Sequence, residues 1–412
     1  MKRLLLAALL MVQIGQAAEL EFMHWWTSRG ERRAVAELAE TLKQNGLPLR
    51  EVPVPGGGGD NARTILQART LSGSPPHLAL LQGPTISSWA ALGLLHPLPL
   101  SHPLPPLVER IHRVNDEMVA LPIALHRLNW LWLNRRELDR NRLAPPTDWE
   151  TLVVTLERLR QAGRPGLAIG NDPWQIAQLF ENLLFGLGGP DLYHRLFVTL
   201  EPSALRAPAT REALSYFRRI ARTVAPVEAL TWDQAALGLK EGRFAMQITG
   251  DWVLGEWLDD AGRLPPDLLC LPTPARQPGF IFNIDSLVMM RGAQHAPAST
   301  ERLTELLSDP AFLQRFNRKK GAIPVQSDIA LPGFNPCSRQ ARIDFIAALE
   351  RGSAVPSFSD SMATCPVIRN ALLSELHRFF LDPRLSEKEM LKILERIRQG
   401  KELWCPTPVK AS

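Results

Sequence analysis

Two adjacent indoles, a hydroxyl pair, a glycine and a carboxylate stand together in His24-Trp25-Trp26-Thr27-Ser28-Arg29-Gly30-Glu31. An indole is large and carries an N–H that needs a partner, so a doublet among polar residues suits a pocket wall. Ring faces stack on the C–H side of a sugar, while carboxylates and amides hold its hydroxyls. The local sequence leaves a second arrangement open, with one indole in the core and the other partly exposed. Tryptophan is abundant elsewhere too, eleven against two tyrosines. Trp89, Trp130, Trp132, Trp149, Trp257 and Trp404 lie in apolar patterns and read as packing. Trp232, in Leu-Thr-Trp-Asp-Gln, and Trp252, in Gly-Asp-Trp, open elements among polar residues and read as cleft candidates.

Signatures of bond chemistry are sparse. Gly56 to Gly59 lacks the Lys-Ser or Lys-Thr of a phosphate loop and reads as a strand-to-helix turn whose amides could approach a ligand. The nine histidines show no paired metal spacing. His24 is expected in the core. His126, after Pro122, reads either as a polar cleft group or as a satisfied buried histidine. No nucleophile elbow appears. Glu31, Asp251 and Asp285 could flank a glycosidic bond, although Asp251 reads first as a helix cap. Charges are interspersed, so nucleic acid is not an expected partner. No cofactor is implied.

The elements that must position these groups alternate. Strands are expected at Glu19 to His24, Leu49 to Val54 and His77 to Gln82, with helices at Arg32 to Asn45 and from Asp60 or Asn61 to Leu71. This order implies an α/β fold with a largely parallel sheet. Ligands bind such sheets at the C-terminal strand ends, which places Trp25, Trp26, the glycine loop and Gln82 along one edge. Ala120 to Asn134 reads as a first crossing into a second lobe, and Phe280 to Met290 as the return. Helices are expected at Pro173 to Leu187, Pro208 to Val224, Asp233 to Glu241 and Ser299 to Asn317, and the chain after Gly321 is expected to be mostly helical.

The N-terminus reads as an export leader, with Lys2 and Arg3 before a short apolar run and small residues at Gly15 and Ala17. Cleavage is expected after Ala17, with no cysteine following to carry a lipid, so a free periplasmic protein is expected. About 395 residues then remain, more than one core usually supports. Removing Lys2 and Arg3 lowers the formal charge from +5 to +3. Four cysteines in no CxxC spacing suit disulfides in an oxidising compartment. Of the three connectivities, Cys337 with Cys365 is the preferred pairing, and four free thiols remain the alternative.

HWWTSRGE, PVPGGGG, GRFAMQITGDWVLGEW, FNIDS and NRKKGAIPV occur in this order. The ordered set resembles the extracellular sugar-binding proteins of ABC importers, family 1, of the glucose/mannose-binding type, over nearly the whole mature chain. The resemblance implies a two-lobed periplasmic-binding-protein fold with a hinge and an interlobe cleft. Lobe 1 is expected over residues 18–127 with 283–325 returning to it, and lobe 2 over 128–282 with 326–412. By the same resemblance Trp25, Trp26, Glu31, Gln82, His126, Trp232, Trp252, Asp285 and Lys320 would hold a monosaccharide. The expected partners are that sugar and a membrane permease with a cytoplasmic ATPase, and the expected state is a monomer without catalytic residues. Two positions depart from the family pattern and point to a shifted sugar preference. Arg29 replaces a glycine, and Asp360 follows Val355-Pro356-Ser357 where a histidine is expected. The alternatives are a secreted carbohydrate-active enzyme, such as a glycosidase or lyase, and a sugar sensor feeding a chemoreceptor.

Overall fold

The computed structural model describes residues 19–100, 102–293 and 300–405. The expected leader lies outside them. In chain order the main strands are β1 (Leu20–His24), β2 (Leu49–Pro53), β3 (Leu78–Leu81), β4 (Leu121–Arg127), β5 (Trp130–Asn134), β6 (Leu167–Ala168), β7 (Met246–Ile248), β8 (Leu268–Pro272), β9 (Phe280–Met289) and β10 (Ala354–Pro356). One sheet has the order β10-β9-β3-β1-β2, with β4 also paired to β9; a second has the order β8-β5-β7-β6.

Each sheet has its own core. Phe22, Leu38, Leu80, Ile123, Val288 and Phe316 belong to the first. Trp132, Phe180, Phe217, Met246, Phe282 and Phe379 belong to the second. The chain crosses at β4 to β5, where Ala124 joins one core and Leu125 the other.

The first sheet is mixed rather than largely parallel. β1 pairs in parallel with β2 and β3, but β9 runs antiparallel to both β3 and β4. The reason is connectivity: β9 returns from the second core and enters this sheet from the opposite direction. It thereby brings its own residues to the C-terminal ends of β3 and β4. Asn283 pairs with His126, and Ser286 with Leu81, the residue before Gln82. A register shift between Asp285 and Ser286 marks a bulge beside this point.

Local chemistry decides several boundaries. The first helix starts at Arg29, not Arg32, because Ser28 and Glu31 form a reciprocal capping box. The helix expected over Ser299 to Asn317 is two, Thr300–Ser308 and Pro310–Lys320, since Pro310 opens a new helix capped by Asp309. Helix Pro173–Phe197 outruns its expected end through a break at Gly189.

The disulfides join Cys270 to Cys337 and Cys365 to Cys405, not Cys337 to Cys365. Cys337 begins helix Pro336–Arg351 against β8, which carries Cys270. Cys365 precedes helix Pro366–Leu381, which meets the last described turn, Lys401–Trp404. Proximity in sequence did not predict proximity in space.

Candidate functional site

A cavity opens where the strand ends of the first core face the second. Its lining is Trp25, Thr27, Glu31, Gly58, Gln82, His126, Trp174, Trp232, Trp252, Asn283, Asp285, Lys320 and Asp360. Counted out to its mouth and including space open to solvent, the empty volume is about 470 Å³.

One wall is a chain of charges. Glu31 uses one carboxylate oxygen inside its own capping box, accepting from the Thr27 and Ser28 amides at 3.0 and 3.2 Å. Its other oxygen lies 3.4 Å from Lys320 Nζ, which is 3.6 Å from Asp285. Burial pushes the Glu31 carboxyl up, against Lys320 and the Ser28 amide. Burial also opposes ionisation of Asp285, but Lys320, His126 and Gln82 outweigh it and hold this carboxyl down to about 2. Gln82 donates to Asp285 at 2.8 Å and to Asn283 at 3.1 Å. Asn283 donates in turn to Asp360 at 3.1 Å. Asn283 and Asp285 share a face because side chains alternate along β9. Burial, then the neighbouring Asp285, raises Asp360 to about 6.

His126 sits at the crossing. Its Nδ1 bonds Asp251 at 2.6 Å, and Asp251 also accepts from the Arg127 amide. Asp251 is therefore not the expected helix cap; Gly250 takes that position. Burial and Lys320 disfavour the imidazolium, yet Asp251 and Asp285 raise its pKa. The His126 Nε2 atom is 3.5 Å from Asp285, too long for a good hydrogen bond. It is left without a hydrogen-bond partner, as are Gln82 Oε1 and the indole nitrogens of Trp174 and Trp252. Four buried polar atoms of lining residues thus await partners, and such atoms are costly unless something fills them.

The other wall is aromatic. Trp252 packs edge-on against His126 at 5.6 Å and against Trp174 at 5.9 Å. Trp232, at the start of helix Trp232–Lys240, is half-buried. Trp25 packs under the glycine loop. A methyl group at Gly59 would lie 2.7 Å from its ring, and Gly59 has φ +74°.

The tryptophan doublet divides. Trp25 lines the cavity and Trp26 does not. Trp26 is 1% exposed and packs on Phe22 and Phe316. Its ring lies 5.3 Å from Lys320 Nζ, so it backs the charged wall from the core side. His24 is buried as expected, and burial lowers it to about 4. Trp89, Trp130, Trp132, Trp149 and Trp257 are core residues; the Trp404 side chain is outside the described set. Arg29 is exposed and borders an outer groove with Arg33, Lys240 and Asp259, so it does not touch the cavity.

Thr27, Gly58, Trp174, Asn283 and Asp360 complete the lining beyond the expected set. The Asn-Ile-Asp alternation could have revealed Asn283, and Asp360 stood out only as a departure from a pattern. Trp174 is the second residue of helix Pro173–Phe197, between Asp172 and Gln175, so the signal that could have found it was the same element-start context that marked Trp232 and Trp252.

The two cores also touch outside the cavity. Glu256, from the second, accepts from Ser28 Oγ and the Gly30 amide, both at 2.7 Å. A methyl at Gly30 would lie 2.5 Å from the Gly255 carbonyl.

A family model described as bacterial extracellular solute-binding protein matches residues 34–336. A "Probable sugar-binding periplasmic protein" of Brucella melitensis biotype 1 is 30% identical over 384 residues, covering 91% of this chain and 90% of that one. A relative with the same printed name in Rhizobium meliloti is 29% identical over 405 residues, covering 96% and 97%. Among solved structures, the bacterial solute receptor AcbH, described as preferring β-D-galactopyranose, superposes with a TM-score of 0.76 at 16% identity. That match covers 93% of this chain and 98% of the receptor.

Proposed function

This chain belongs to the family of bacterial extracellular solute-binding proteins, and on that premise we propose that it captures a monosaccharide in the interlobe cavity and delivers it to the permease of an ABC importer. The single observation that carries the reading is the meeting of a charged wall with an aromatic one, with four lining atoms unpartnered. Indole faces cover the apolar side of a sugar ring, while carboxylates, amides and an ammonium take its hydroxyls. The names of the relatives support the class of ligand and the periplasmic setting. Cleavage after Ala17 would free the mature protein.

The contact set under this reading is Trp25, Glu31, Gln82, His126, Trp232, Trp252, Asp285 and Lys320, joined by Trp174, Asn283 and Asp360. Trp26 supports Lys320 instead. The lobes divide at residues 18–127 with 283–325, and 128–282 with 326–412. Closure buries the sugar between them, driven by contacts that exist to both lobes only in the closed state. Catalysis is not required of these groups. Asp285 is held ionised by Lys320 and His126, which suits a hydrogen-bond acceptor rather than a general acid.

Thermal denaturation of the mature protein against a panel of mono- and disaccharides tests the reading. A monosaccharide ligand raises the melting temperature with concentration by mass action. No shift with any sugar, or turnover of a chromogenic glycoside, would overturn it.

A further inference from the structure

The charges around the cavity pair off, with one exception. Lys320 serves Glu31 and Asp285. His126 serves Asp251. Behind the wall, Arg369 reaches Asp60 at 2.8 Å, and Arg63 holds the same carboxylate. Asp360 lines the cavity at 5% exposure and has no Lys, Arg or His partner within ion-pair distance among the described residues. Its carboxylate accepts one neutral bond, from Asn283.

The surroundings aim this carboxylate without pairing it: burial and Asp285 oppose its charge and outweigh the more distant Arg369, His126 and Arg63. The Asp360 amide donates to Ser357 Oγ. Ser357 and Ser359 donate to the buried Glu181, which also accepts from the Phe358 amide. Arg369 donates to the Ser359 carbonyl at 2.7 and 3.1 Å. Ser361, the next residue, is held at φ +66°, a conformation that persists only where the surroundings enforce it. A clamped, desolvated carboxylate without a cation is unfavourable by itself. A ligand that brings the cation removes that cost.

Resting on the sugar reading, we propose that the ligand is a sugar bearing a protonated amine, an amino-deoxy hexose whose ammonium pairs with Asp360 among the cavity's indoles. The raised Asp360 carboxyl, at about 6, records the strain that the ammonium would relieve. The indole faces add to the attraction of a cation. The ammonium would displace nothing, because Lys320 and His126 are already committed to other carboxylates.

Calorimetry on the mature protein near pH 7.5 tests this with glucosamine, galactosamine and mannosamine beside glucose, galactose and mannose, and with N-acetylglucosamine as the uncharged amine derivative. One amino hexose is expected to bind at least about tenfold more tightly than its neutral parent, as a charge-assisted bond would give. In Asp360→Asn that advantage should fall below about twofold. Acetylation removes the charge from the ligand and gives the same answer if the variant fails to fold. Equal or tighter binding of a neutral hexose, or an amine preference that survives in Asp360→Asn, overturns the proposal and leaves the sugar reading standing. No binding of any of these sugars overturns the amine proposal, and the wider saccharide panel then decides the sugar reading.

Discussion

The wall built by the first core and the wall built by the second solve different problems. Gln82 follows β3, Asp285 lies within β9, and Glu31 and Lys320 sit at the ends of two helices of the first; they hold one another in fixed geometry before any ligand arrives. Trp174, Trp232 and Trp252 come from the second, and offer area while leaving two indole N–H groups unpaired. A polar wall discriminates because its groups are costly to leave unmatched. An aromatic wall contributes affinity in proportion to the area it covers. Two residues break the division: Trp25 is an indole from the first core, and Asp360, flanked by Phe358 and Met362 of the second core, joins the charged chain through Asn283.

The comparison breaks most visibly at Asp285. Asp285→Ala leaves Lys320, Gln82 and His126 facing an empty position. It is expected to abolish sugar binding and to destabilise the ligand-free protein by about 3–5 kcal/mol in urea unfolding. A stable variant with ordinary affinity would show that the charged wall is not a unit.

Trp252→Ala tests the opposite wall. Affinity should fall by about 1–3 kcal/mol through lost stacking and burial, measured by calorimetry. Discrimination between epimers should be retained, because the polar wall is intact.

Asp360 can be tested without ligand. Its folded pKa, about 6, stands above its ordinary value of 3.8. The contribution of its protonated form to stability is therefore full below about pH 4 and lost as pH rises through about 6. Asp360→Asn should stabilise the ligand-free protein by about 1–3 kcal/mol at pH 7.5. The difference should vanish near pH 4. Equal melting temperatures at both pH values would contradict the unpaired charge.

Glu256→Gln probes the contact between the walls rather than either wall. Losing the charge that accepts from Ser28 and Gly30 should weaken every sugar by about 1 kcal/mol. Melting without sugar should stay unchanged if the contact forms only on closure.

Trp26→Phe should have the smallest effect on affinity. It removes a buried N–H that has no partner and keeps an aromatic ring near Lys320. Stability should change by less than about 1.5 kcal/mol. A loss of affinity comparable to that of a Trp25 substitution would return Trp26 to the site.

Much of this was legible before the fold. The strand–helix alternation and the crossing at Ala120 to Asn134 are local signals with periods of two or about three and a half; the Ser28–Glu31 capping box is local too, yet the expected helix began three residues late. The eight lining residues carried over by resemblance converge on one cavity. The place of Trp26, the disulfide pairing and the true place of Arg29 were not legible, since each depends on what lies opposite in space. Trp25 and Trp26 share one sequence context, yet β1 ends between a glycine loop and a core. Consecutive side chains leave an extended backbone on opposite sides.

The sequence by itself therefore determined the inventory: the two-lobed α/β class, the capped helix that folds Glu31 back on its own start, and the aromatic and charged residues available. Only the tertiary structure decided how they are partnered. β9 enters the first sheet antiparallel and sets Asn283 and Asp285 beside Gln82 and His126. Charges 30 to 300 residues apart then neutralise one another and leave Asp360 without a cation. Pairing of buried charges depends on distances of a few ångströms, and those are fixed by packing between elements rather than by any local run of residues.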